Sequence, residues 1–255
     1  MRLSDVIERI EAVAPFGAAE SWDNSGLLLG DPGDAVHRVG VCLDATTASV
    51  EEASSRGCDL LVTHHPMIFP SLRRIDRDSI AARAIRSAIG CGISVLCAHT
   101  NWDRSDVGVN AVLADRLGMR DVSPLRGEDN GLGRRGFLDP LPFGDFLGVL
   151  KERWTLSWVS GYGDAGRTIR SVALCGGSGR DILRDAVESG ADVFCTADLT
   201  YHDVMEAKNS GVCVALADHG EMERMSMKRL AEIIGGNDLP VDVLVSEELG
   251  ERLYV

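Results

Sequence analysis

Aromatic residues supply only 5% of this 255-residue chain. No uncharged apolar run approaches the length of about 18 residues that a helical membrane span requires. The N-terminal stretch MRLSDVIERIEAVAPF interrupts its apolar positions with charges and lacks a small-residue cleavage site, so it reads as a helix and not as a secretory leader. A soluble, cytoplasmic protein is expected. Basic residues are also in short supply: 26 Lys and Arg stand against 39 Asp and Glu, a net charge of −13. Such a surface repels phosphate backbones and anionic lipid, which argues against unspecific nucleic-acid binding and membrane attachment but leaves room for a metal-bridged phosphate. The seven cysteines (Cys42, Cys58, Cys91, Cys97, Cys175, Cys195, Cys213) are odd in number and contain no C-x-x-C. Most lie in or beside apolar strand-like runs and read as small buried hydrophobes of a reducing compartment.

What the chain does have is alternation. An amphipathic opening helix with Val6, Ile7, Ile10 and Val13 on one face ends at Pro15 and is followed by SWDNSGLLLGDPGD, a turn-rich loop that either approaches a phosphate or, the preferred reading, tucks Trp22 into the core. From Val39 onward, short apolar runs alternate with helical periods: VGVCL, a helix from Thr47 to Arg56, DLLVT, a helix from Ser79 to Ile89, ISVLCA, and a helix from Ser105 to Leu117. A glycine- and proline-rich stretch (GLGRRGFLDPLPF) interrupts the alternation, then a helix and a strand TLSWVS follow. SVALC, DVFCT and VCVALA resume it, a helix spans Met222 to Ile234, and VDVLV closes the pattern. This is an α/β protein with mostly parallel sheets. The composition shift places one α/β subdomain at 1–123 and 216–255 and a second at 124–215.

The two halves repeat. Residues 39–65 lie without a gap on 172–198, with Val39, Cys42, Ala53, Gly57, Asp59 and Thr63 meeting Val172, Cys175, Ala186, Gly190, Asp192 and Thr196. Further on, GISVLCAHT answers to GVCVALADHG. An internal duplication of one strand–helix–strand unit is the economical explanation.

Ligand sites in parallel sheets form beyond the carboxyl ends of the strands, and those ends are loaded here. His64-His65-Pro66 follows LLVT, His99 through Asp103 follows SVLCA, Asp198 and His202 follow VFCT, and Asp218-His219 with Glu223 follows CVALA. Five of the six histidines therefore sit past neighbouring strands. A lone strand-end histidine is usually a structural donor, but the His64-His65 pair, turned by Pro66, and the i, i+4 pair His219 and Glu223 are harder to explain that way. Imidazoles with carboxylates and no thiolates suit zinc, manganese, iron or nickel. The number of candidate ligands suggests two ions about 3.5–4 Å apart. Asp198, His202 and His99 are polar strand-end residues suited to orienting or proton-transfer roles, with His99 the candidate catalytic proton shuttle. CGGSGRD is either an anion nest or a tight strand–helix turn.

THHP, HTNWD, the terminal H-x-x-x-E, WDNSGLLLG and GLGRRGFL, in that combination along the whole chain, closely resemble the Nif-three-like family of dinuclear metal-centre proteins, also known as GTP cyclohydrolase 1 type 2 homologues. The resemblance implies a metal set of His64, His65, Asp103, His219 and Glu223, two similar α/β subdomains, and a toroidal homohexamer. It also implies a metal-dependent hydrolase in which water attacks guanine C8 of a purine nucleotide; a metal carrier or regulatory assembly without turnover is the alternative. Two positions depart from the family pattern: Met222 stands where Ser or Thr usually precedes the last glutamate, and Ala197 where glycine is usual.

Overall fold

The computed structural model describes residues 1–69 and 71–245. It divides into two compact units, one of residues 1–101 with the described residues from Met227 on, the other of residues 102–226. The first unit begins with α1 (Leu3–Glu11), whose Leu3, Val6 and Ile10 are buried and whose Asp5 carboxylate accepts the Arg2 amide at 2.7 Å. The chain continues through β1 (Gly26–Leu29), β2 (Val39–Cys42), α2 (Thr47–Ser55), β3 (Leu60–Thr63), α3 (Ile80–Cys91), β4 (Ser94–Cys97) and the short α4 (Thr100–Arg104). Thr46 and Ser49 cap α2 reciprocally, and Ser79 caps α3. Every residue of β2, β3 and β4 is buried, as expected of parallel strands covered on both faces.

In the second unit come α5 (Val109–Leu117), β5 (Arg120–Arg126), β6 (Leu132–Pro142), α6 (Phe143–Arg153), β7 (Val159–Tyr162), β8 (Thr168–Ser178), α7 (Leu183–Glu188), β9 (Val193–Ala197), α8 (Tyr201–Asn209), β10 (Cys213–Ala217) and α9 (His219–Arg224). The chain then returns to the first unit with α10 (Met227–Gly235) and β11 (Val241–Val243). The first sheet runs β1-β4-β3-β2-β11, parallel except for β1, which pairs antiparallel with β4. The second runs β5-β6-β8-β9-β10-β7, with β8, β9 and β10 parallel and β5, β6 and β7 joined antiparallel outside them. The α/β class and its parallel strand–helix–strand units are those expected. Among the described residues no helix is long and apolar enough to cross a membrane.

Several expectations are corrected. The glycine- and proline-rich stretch does not interrupt the strands: Leu132–Pro142 is the strand β6, paired on both sides and followed by the expected helix as α6, and residues 26–29 of the turn-rich N-terminal loop form β1. The helix expected from Ser105 to Leu117 starts later, as α5 from Val109, because Gly108 is its N-cap, packed so closely that a Cβ there would clash with the Trp102 carbonyl oxygen. The helix expected from Met222 to Ile234 is two, α9 and α10, and Ser226 between them accepts the Trp102 indole N–H at 3.0 Å. The compact units divide at 101/102 and 226/227, with α5 and α9 packed against β8 of the second sheet. As a result Asp103, His219 and Glu223 belong to the second unit. Six of the seven cysteines are buried as expected, while Cys91 is exposed. Burial pushes the Cys42 thiol up to about 12 and that of Cys58 to about 11, which leaves them inert.

Candidate functional site

In the first unit the chain leaves β3 with its backbone still paired: the His64 amide donates to the Cys42 carbonyl and the His65 amide to that of Leu43, at 3.2 and 2.9 Å. The Thr63 hydroxyl donates to the His65 carbonyl at 2.8 Å, tightening the turn. The two adjacent imidazoles thereby come together, ring centroids 5.1 Å apart, and His99 from the end of β4 joins them at 5.2 Å from His64 and 5.7 Å from His65. Nitrogens of the three rings lie within 4.8 Å of one another, a grouping able to hold a metal ion.

Each ring has an oxygen against its Nδ1. His64 Nδ1 meets the Ala98 carbonyl at 2.9 Å, His65 Nδ1 the Asp44 carboxylate at 2.7 Å, and His99 Nδ1 the Asp23 carboxylate at 2.7 Å. A carbonyl or an ionised carboxylate only accepts, so Nδ1 carries the hydrogen in all three, and in a neutral ring of this kind the lone pair able to bind a metal is on Nε2. Asp23 is fully shielded from solvent. Burial pushes its carboxyl up, but hydrogen bonds from His99, Thr100 and Ser25 together outweigh burial and hold it well below the usual carboxylate range.

In the second unit Asp218 caps α9 by accepting the Glu221 amide, which sets His219 and Glu223 one turn apart with Nε2 and Oε2 at 3.1 Å. His219 shows the same tautomer logic, its Nδ1 lying 2.5 Å from Asp198. Asp198 has φ of +51°, a left-handed conformation that a non-glycine residue adopts at a cost and that turns its carboxylate back toward the imidazole. Gly177, at φ +62°, is a second close approach: a Cβ there would sit 2.2 Å from Glu223 Oε1 and 3.2 Å from the His219 ring. Asp103 is buried on α4. Its carbonyl accepts from Asn110 Nδ2 at 2.9 Å while Asn110 Oδ1 accepts the Gly176 amide at 2.8 Å, which ties α4 to the end of β8. Burial first, and then the charges of Asp103 and Glu223, push the Cys175 thiol well above its ordinary value.

The expected residues therefore fall into two sets: His64, His65 and His99 in one unit, Asp103, His219 and Glu223 in the other. Asp198 takes the orienting role considered for it. His202 stands apart, exposed, with its ring against Tyr201. Trp22 is not in the core; it is 53% exposed, edge-on to Phe69 and His99, because the loop spends its burial on Asp23 instead. CGGSGRD is the tight-turn alternative, since Asn110 and the Thr196 hydroxyl already take the amides of Gly176 and Gly179. Asp23, Asp44, Asn110 and Gly177 were missed from sequence. Only the WDNSG and GGSG glycine-turn patterns signalled two of them.

Fold and site together define an α/β protein that carries histidine–carboxylate sets at its strand ends. The family model Duf34/NIF3 (NGG1p interacting factor 3) matches residues 1–249, and the chain belongs to that family. A GTP cyclohydrolase 1 type 2 homolog of Clostridium perfringens is 32% identical over 255 residues, 97% of each chain. Among solved structures, a hypothetical protein of Staphylococcus aureus aligns with a TM-score of 0.92 at 26% identity, covering 100% of this chain and 99% of that one. A Bacillus cereus protein related to NIF3 aligns at 0.88 with 21% identity over 100% and 99%, a likeness of fold.

Proposed function

We propose that this protein binds two divalent metal ions through His64, His65, Asp103, His219 and Glu223 and acts as a metal-dependent hydrolase on a purine nucleotide or related phosphorylated compound. The observation that carries the metal reading is the shared orientation of the rings: all four imidazoles of the two sets have Nδ1 held by an oxygen, which fixes the direction of the Nε2 edge, and in His219 that edge already faces Glu223 Oε2 at 3.1 Å. Orientation of this kind is what metal ligation needs and what a merely structural histidine does not. The donor chemistry fits zinc, iron, manganese or nickel. A divalent ion bound there supplies Lewis acidity to hydrolysis. The chain's own contribution is to hold the donors: Asp198 and the α9 cap fix His219 and Glu223, and Gly177 leaves the space that the Glu223 carboxylate occupies. The name shared by the relatives points to a purine nucleotide.

A carrier whose ions are cargo is the second reading. It is favoured by the partial exposure of His65 and His219 and by the carboxylates that orient the rings, which would repel a polyphosphate. Metal analysis of the purified protein separates the readings when combined with a nucleotide-turnover screen. His64→Ala with Glu223→Ala should abolish stoichiometric metal, and a double variant that keeps two ions per chain would refute the ligand set. A metal-replete protein that turns over no nucleotide yet passes its ions to an acceptor protein is a carrier. Assembly into a homohexamer belongs to the same proposal, and a monomer mass by light scattering at micromolar concentration would overturn it.

A further inference from the structure

We propose that Asp23 is a positioning residue that makes His99 a third imidazole donor beside His64 and His65, an inference that rests on the metal-binding reading above. The WDNSG loop grips the end of β4 from several directions. Asp23 accepts from His99 Nδ1 at 2.7 Å, from the Thr100 amide at 3.1 Å and from the Thr100 hydroxyl at 2.5 Å, while the Ser25 hydroxyl donates to it at 2.8 Å. The His99 amide in turn donates to the Ser25 hydroxyl at 3.3 Å. The loop is itself anchored, since Asn24 Nδ2 donates to the Ile68 carbonyl at 2.9 Å and the Trp22 ring packs edge-on to His99 at 6.2 Å.

Of the three carboxylates that face a histidine Nδ1 in the two sets, Asp23 is the one withdrawn from solvent; Asp44 and Asp198 are 48% and 59% exposed. A charged acceptor shielded from water holds its donor more firmly than a solvated one. A carboxylate needed only to close the turn would be satisfied by Thr100 and Ser25. Here it also takes the imidazole, and the nitrogen left over lies among those of His64 and His65. That placement assigns His99 to the ion, in place of the proton-transfer role its strand-end position suggested.

The test is titration of the full-length, chelator-stripped protein with Co²⁺, reading the dissociation constants by chelator competition and the visible d–d spectrum. Asp23→Ala should weaken one of the bound ions by about 10–100-fold and change its band, as removal of outer partners of metal ligands typically does. His99→Gln should do the same, and the double variant should be no worse than His99→Gln alone. Thr100→Val, which removes another bond to the same carboxylate, should leave affinity and spectrum unchanged. Wild-type affinity and spectrum in Asp23→Ala, additive losses in the double variant, or a Thr100→Val loss equal to that of Asp23→Ala would each overturn the role of Asp23 while leaving the metal reading intact. A wild-type protein that binds no Co²⁺ would overturn the metal reading first, and this inference with it. Should Asp23→Ala fail to fold, the isosteric Asp23→Asn carries the same comparison: a band shift absent from Thr100→Val supports the role, and an unchanged band overturns it.

Discussion

The two strand–helix–strand repeats share a frame and differ at its rim. In the first unit Val39 pairs with Leu60 across β2 and β3; in the second Val172 pairs with Val193 across β8 and β9, so that a shift of 133 residues preserves the register as well as the sequence match. The third strands continue the likeness, Leu60 pairing with Ser94 and Val193 with Cys213. Asp59 accepts the amides of His37 and Arg38 through one carboxylate oxygen, and Asp192 accepts those of Arg170 and Ser171 in the same way. One step past the matched Thr63 and Thr196 the likeness stops, because His64-His65 corresponds to Ala197-Asp198. One unit displays three imidazoles. The other offers one imidazole with Asp103, Asp198 and Glu223 on a more anionic rim. Burial between the layers constrains the side chains along the strands, whereas those at and just beyond the strand ends pack against less and are open to chemical divergence.

The largest expected effect tests the frame. Leu61 and Phe194 occupy corresponding, fully buried positions in the two sheets. Leu61→Ala should cost about 2–5 kcal/mol and Phe194→Ala about 3–5 kcal/mol in denaturant unfolding. A negligible cost at either position would show that the two cores are not equivalent. A smaller effect is expected at the paired aspartates. Asp192→Ala should cost about 1.5–3 kcal/mol, the range for hydrogen bonds to a charged group, and Asp59→Ala less, because its side chain is 37% exposed against 26% for Asp192. A larger loss at Asp59 would break the correspondence.

The smallest effect is a pH dependence. Burial pushes the Asp192 carboxyl up, but hydrogen bonds from Ser171, Arg170 and Arg167 outweigh it and hold the carboxyl below its ordinary value. A group whose pKa is lower in the folded than in the unfolded state adds stability that is fully present above its unfolded pKa of about 4 and is lost as pH falls through the folded one. Asp192→Asn should therefore flatten the acid limb of the stability curve while lowering the plateau near neutrality. An unchanged acid limb would mean that the two amides do not favour the charged form.

Much of the frame was legible because it is written in local patterns. Buried runs such as LLVT and VCVALA, the glycines closing α2 and α7, and the aspartate that opens the next strand are set by hydrophobic burial and turn chemistry within a few residues. β6 was not legible: Gly133, Gly136 and Pro140 suggest a loop, and only pairing with β5 and β8 makes the segment a strand. The late start of α5 and the break after α9 escaped for a related reason, since the close approach at Gly108 and the Trp102–Ser226 bond involve residues whose proximity no periodicity records.

The candidate site divides along the same line. By itself the sequence determined which donors exist, since histidine and carboxylate chemistry belongs to the residue type and the strand-end spacing of His64, His65, His99, Asp103, His219 and Glu223 is visible in one dimension. It also determined the family. Only the tertiary structure decided how those donors are presented: that Asp23, 76 residues before His99, holds its Nδ1, that Asp44 holds that of His65, and that Gly177 makes way for Glu223. A hydrogen bond is directional and acts over about 3 Å, so which carboxylate orients which imidazole depends on where the folded chain brings distant segments together.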